Sequence, residues 1–95
     1  MIYHVIVGPG AEQDLTDAQD WYEAHQPGLG NEFRATIDAL FARLSETPNA
    51  YPVVFIDVRR AVLRRFPYLV YFRVTSTRVT VVGCLHAKRG AHPLR

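Results

Sequence analysis

The spacing of apolar positions changes character about halfway along this chain. Ile2 to Val7 is a short apolar run rich in β-branched residues, closed by Gly8-Pro9-Gly10. It predicts a buried strand followed by a breaker. Ala11, Leu15, Ala18, Tyr22 and His25 then recur at spacings of four, three, four and three. That places them on one stripe of a helix, which Trp21 widens as a core residue. Glu12 and Asp14 fall in its first turn, where carboxylates complement the helix dipole. Pro27-Gly28 stops this helix, and a second stripe follows through Phe33, Ile37, Leu40, Phe41 and Leu44, ended by Thr47-Pro48. So short a connection predicts an antiparallel helix hairpin. Its exposed faces carry Asp17, Asp20, Glu23 and Asp38.

After Pro52 the helical period disappears. Val53 to Ile56, Arg60 to Arg65, Leu69 to Thr75 and Arg78 to His86 are rich in Val, Phe and Tyr, and are separated by Asp57, Pro67 and Ser76-Thr77. They read as strands of an antiparallel meander. The fold class is therefore α+β, in the order β-α-α-β-β-β with a further strand at the end, as one domain over residues 1–95. To bury its stripes, the helix hairpin must pack on one face of the antiparallel sheet, leaving the other face open. Along the strand from Leu69, alternation sets Val70, Phe72 and Val74 on one side and Leu69, Tyr71 and Arg73 on the other. On the preceding strand Arg60 and Arg64 share one face while Arg59 and Arg65 share the other, an assignment that a one-residue bulge would reverse.

Charge adds an asymmetry to this pattern. Residues 1–50 hold two arginines against eight acids, whereas residues 51–95 hold nine Lys or Arg against Asp57 alone. Such a division suits a basic face that grips nucleic acid or an acidic protein segment. A single cysteine, Cys84, excludes an internal disulfide and leaves no cysteine pair to hold zinc. It reads as a small buried hydrophobe in a reducing compartment. The N-terminal residues lack a basic n-region, and no apolar run approaches the roughly 20 residues that span a bilayer. The expectation is a soluble, cytoplasmic protein with no membrane contact.

Several segments together resemble a known family. Ala11-Glu12-Gln13-Asp14-Leu15 and Trp21-Tyr22-Glu23 are similar to the first helix of ParE-type toxins. Pro27 to Phe33 resembles their hairpin, and Pro48-Asn49-Ala50-Tyr51-Pro52 their approach to the meander. The strongest likeness lies in Arg59-Arg60, Leu63 to Phe72, Val79 to Val82 and His86-Ala87-Lys88-Arg89. The chain thus resembles the RelE/ParE superfamily of toxins from bacterial type II toxin–antitoxin pairs, and is closer to the ParE branch. The resemblance implies a growth inhibitor without cofactor or metal that forms a hetero-oligomer with a cognate antitoxin, in a plasmid-stabilisation role. It implies DNA gyrase as the target for a ParE-like member. For a RelE-like member it implies the ribosome and mRNA, with cleavage in the ribosomal A site. A non-toxic nucleic-acid-binding module or a decayed toxin is the remaining alternative.

Cleavage by the 2′-OH of RNA needs a base for that hydroxyl, cations for the phosphate and an acid for the leaving oxygen. His86 could serve as base or acid near neutral pH, with Arg65 and Arg89 as cations. Yet Lys88 is the only lysine, and the tail after Arg89 has no aromatic residue to match the C-terminal tyrosine of RelE-like nucleases. No catalytic set is therefore assigned. The residues expected to bind target or antitoxin are Arg59, Arg60, Arg64, Arg65, Tyr71, Arg73, Lys88 and Arg89. Tyr68 and Tyr71 read first as packing residues, Asp57 as a turn residue, and Gly8-Pro9-Gly10 lacks the spacing and lysine of a phosphate loop.

Overall fold

A computed structural model describes residues 2–90. The elements run β1 (His4–Val7), α1 (Pro9–His25), α2 (Leu29–Glu46), a 3-10 turn (Pro48–Ala50), β2 (Val53–Phe55), β3 (Val58–Val62), β4 (Tyr68–Thr75), β5 (Arg78–His86) and α3 (Ala87–Gly90). The sheet order is β1-β5-β4-β3-β2. Strands β2 to β5 form the expected antiparallel meander. Strand β1 pairs in parallel with β5, from His4 beside Arg78 to Val7 beside Val81. A parallel neighbour needs a long crossover, which the two helices supply.

The breaker expected at Pro9-Gly10 is instead the first turn of α1. Pro9 occupies a position whose N–H would have no partner, so its missing donor costs nothing there. The hairpin between α1 and α2 is held by Glu23. Its carboxylate accepts the Gly28 N–H at 2.9 Å and the Gly30 N–H at 3.0 Å, two donors at the start of α2. Gly28 turns the chain at φ 91°, in left-handed backbone where glycine is unstrained. Gly30 is buried against α1, and a Cβ added there would sit 2.7 Å from the Gln19 carbonyl oxygen.

Both apolar stripes are buried except at His25, which is exposed, and Phe41, which is half-buried. Ala11, Leu15, Ala18 and Tyr22 from α1 join Phe33, Ile37, Leu40 and Leu44 from α2 over Ala61, Val70, Phe72, Val79 and Val81 of the sheet. Each large side chain in this layer contributes about 1.5–3 kcal/mol by leaving water. Tyr22, Phe33 and Phe66 meet as an aromatic cluster, with centroids 4.9–5.3 Å apart. Trp21 departs from its expected place in the core. It is 53% exposed and stacks on His25 at 3.7 Å, while the His25 ring nitrogen Nδ1 bonds the Trp21 carbonyl. A turn step of 100° from Tyr22 carries Trp21 onto the outer surface, and His25, the last residue of α1, stacks there with it.

On β4 the alternation holds. Val70 and Phe72 face the helices, and Leu69 and Tyr71 join Val58 in a second buried cluster, backed by Val54, Val82 and Leu85. The face without helices is thus partly apolar and tightly packed. The strand expected over Arg60 to Arg65 is corrected to Val58–Val62. Arg65 adopts φ 72°, which bends the chain so that Phe66 returns to the core. Arg64 therefore does not share a strand face with Arg60. Ile56 and Ser76 also have positive φ, each 51°, at the turns after β2 and β4. For a β-branched residue such as Ile56 this conformation costs about 1–2 kcal/mol.

The Gly30→Ala substitution forces α2 away from α1, because backbone cannot yield as a flexible side chain would. The expected loss is about 1–3 kcal/mol of stability, measured as a lowered midpoint of thermal unfolding.

Candidate functional site

The described basic residues of the second half are split among several surfaces. Arg60 stands beside Tyr71 in the register, on the sheet face without helices. Arg73 stands beside Val58 on that same face, and its Nε donates to Asp57 at 3.1 Å. Asp57 lies in the turn between β2 and β3, as its sequence position implied. Arg59 points the other way, beside Phe72, and donates to the carbonyls of Tyr51 at 2.5 Å and Asn49 at 3.3 Å. It ties down the segment before β2 and is spent on structure.

Arg64 and Arg65 lie along the flank of α2. With Arg43 they border a shallow trough of about 310 Å³ whose floor is Ala35, Thr36 and Ala39. Arg65 donates to Glu32 at 2.7 Å and lies 5.2 Å from the centroid of the Phe66 ring. Its ion pair is half exposed, so it contributes no more than about 1 kcal/mol. Among the described residues neither Arg60 nor Arg64 forms an ion pair. No sequence cluster signals Arg43, which sits among the acids of the first half.

His86 and Lys88 border a different depression, an open cleft of about 750 Å³ between α1 and the end of β5. Asp14, Asp17 and Trp21 form one wall and Tyr68, Cys84 and His86 the other. The His86 ring meets Tyr68 edge-on at 5.4 Å, and its Nδ1 accepts the Lys88 N–H at 3.3 Å. No described carboxylate bonds this ring. The two catalytic candidates His86 and Arg65 are therefore not brought together. The third, Arg89, has its side chain outside the described residues, as does the tail after Gly90. Tyr71, named as a binding residue, is buried. Among the described residues no group of three or more His, Cys, Asp or Glu could hold a metal ion. No described helix is long and apolar enough to cross a membrane.

The floor of the cleft depends on a bulge. Tyr71 stands beside Gly83 and Phe72 beside Val81, so Val82 is an extra residue in β5. Past the end of its pairing with β1, the Cys84 N–H donates to Asp14 Oδ2 at 3.0 Å. From sequence alone, Asp14 shows only a role toward the helix dipole. Cys84 is buried as expected, and burial together with the neighbouring Asp14 carboxylate pushes its thiol up to about 12. Burial, then the nearby Tyr68 and Cys84, raises Tyr22 as well. A thiol so placed is no nucleophile at neutral pH.

The family profile described as the ParE toxin of the type II toxin–antitoxin system parDE matches residues 5–90. The chain belongs to this family. Toxin ParE2, from two strains of Mycobacterium tuberculosis, is 30% identical to this ParE-family toxin over 78 residues, covering 81% of the chain and 74% of the relative. The chromosomal ParDE TA system from P. aeruginosa aligns with a TM-score of 0.73 at 21% identity, over 90% of this chain and 96% of the other. The toxin–antitoxin complex RelBE2 from Mycobacterium tuberculosis aligns at 0.65 with 22% identity, over 90% and 99% of the two chains. At such identities these structures establish the shared fold: a helix hairpin on a mostly antiparallel sheet.

For this ParE-family toxin the raised thiol fixes the sign of an alkaline effect. In the unfolded chain Cys84 loses its proton near its ordinary value of 9, but in the folded chain only near 12. The native state binds more protons within that window, so stability falls as pH rises through it. Unfolding midpoints measured from pH 8 to 11 should decline, and Cys84→Ala should make the decline shallower. Native protein should also resist thiol alkylation at pH 8 until it is unfolded.

Proposed function

We propose that this ParE-family toxin arrests growth by binding, with DNA gyrase as its cytoplasmic target and a cognate antitoxin as its neutralising partner. The observation that carries this reading is the separation of the candidate catalytic side chains. Arg65 is engaged with Glu32 beside α2, and His86 accepts a backbone N–H beside α1. General acid–base catalysis requires such groups within hydrogen-bond reach of one reacting phosphate. Arg60 and Arg64, which form no ion pair among the described residues, are suited to contact an acidic surface. An antitoxin partner is further supported by the solved relatives, both of which come from toxin–antitoxin systems.

Because Arg60 and Arg64 occupy different surfaces, their contributions are separable. Expression of the chain without an antitoxin should stall replication and cause gyrase-dependent DNA breaks while messages remain intact. Co-expression of the antitoxin should restore growth. Messages cut at the ribosomal A site, and spared in His86→Ala or Arg65→Ala variants, would instead establish a ribosome-dependent nuclease. Unimpaired growth would make the chain a non-toxic module.

A further inference from the structure

The turn joining β2 to β3 carries a residue that local stability does not favour. Ile56 is a β-branched side chain in left-handed backbone, at φ 51°, and is 82% exposed. Asn or Gly would suit that conformation better, and neither burial nor packing compensates for isoleucine there. Phe55 beside it is also exposed, and stands next to Val58 in the register. From Val58 the same face of β3 continues through Arg60 to Val62, which is 65% exposed. Residues two apart on a strand are about 7 Å apart. The surface therefore presents an apolar group at the β2 edge, beside the buried Val58, and then a cation and a second apolar group on β3, these last two at the spacing of alternate residues in an extended chain.

We infer that this row is the docking site of an extended antitoxin segment with the pattern apolar-x-acidic-x-apolar. The inference rests on the antitoxin reading above and adds the surface and the motif. One apolar side chain of the segment seats on Ile56 and Phe55, its carboxylate meets the Arg60 guanidinium, and the next apolar residue covers Val62. Charge complementarity selects the acid. Arg60 is half-buried beside Tyr71 and has no ion pair among the described residues, so a carboxylate there gains a charge-assisted bond in a partly desolvated place. The apolar groups at both ends favour a protein segment over RNA, whose backbone would demand cations along the whole row. The strain at Ile56 is then explained as stability given up for a contact surface.

The test is titration of the folded chain with its full-length cognate antitoxin, paired with thermal unfolding of the free chain. Ile56→Asn should raise the unfolding midpoint by about 4 °C or more, yet weaken antitoxin binding by about tenfold. Arg60→Glu should weaken binding at least as much, with the salt dependence of affinity reduced, and an acid-to-arginine change in the antitoxin segment should restore it. If wild type binds the antitoxin and both variants stay within about twofold of it, the docking site lies elsewhere and the inference is overturned. If wild type itself does not bind, the antitoxin reading falls, and this inference with it. Loss of single-stranded RNA binding in the two variants, with antitoxin affinity intact, would overturn it in favour of an RNA surface.

Discussion

The arrangement of this toxin turns on one hydrogen bond, from the Cys84 N–H to the Asp14 carboxylate. Strand β5 lies between β1 and β4, but its pairing with β1 stops at Val81, where the chain leaves β1 for α1. Beyond that point a donor on β5 has no strand beside it. An unpaired buried N–H would cost about 1–3 kcal/mol. Asp14 supplies the acceptor, and in doing so tethers α1 to the sheet. The extra residue Val82 makes this possible, because it resets the alternation. Val81 and Cys84 both face the helices, and Val82 and Leu85 both face away. Had alternation run unbroken, Cys84 and His86 would sit on the opposite side from Val81, and the cleft under α1 would have neither.

The parts legible in the sequence were those governed by one-sided burial. Ala11, Leu15, Ala18 and Tyr22 are buried because a helix on a sheet has a single wet face, and their spacing reports that directly. The same reasoning placed Val70 and Phe72 correctly on β4. The bulge was invisible, since Val81-Val82-Gly83 reads as an ordinary apolar run whichever residue is the extra one. The parallel partnership of β1 is also silent, because period and composition do not encode a neighbour. Trp21 was misplaced by its size. A large aromatic next to a buried stripe looks like core, yet one helical step from Tyr22 turns Trp21 outward, where it stacks on His25.

Charge counting located the cations without giving their directions. Arg59 and Arg60 are adjacent in sequence and lie on opposite faces, one consumed by the Tyr51 and Asn49 carbonyls and the other open to a partner. Arg64 and Arg65 were assigned to a strand that ends before them. What removed them was the backbone of Arg65, a property of the turn that residue type alone does not announce. The basic half of the chain is thus several small sites with different duties. A partner that senses the sheet face meets one set of cations, and a partner on the α2 flank meets another.

The pairing of β1 with β5 has a consequence for how the molecule comes into being. His4 finds its neighbour only in Arg78, after both helices and the rest of the meander have been made. During synthesis the helix hairpin can form early from local contacts, but the sheet beneath it cannot close until β5 has left the ribosome. The Cys84 N–H that holds α1 in place arrives in the same last stretch. A nascent chain therefore carries its acidic half for most of its translation without the arginine-bearing sheet. The helix hairpin therefore gains its partner sheet, and the tether at Asp14, only once β5 is in place.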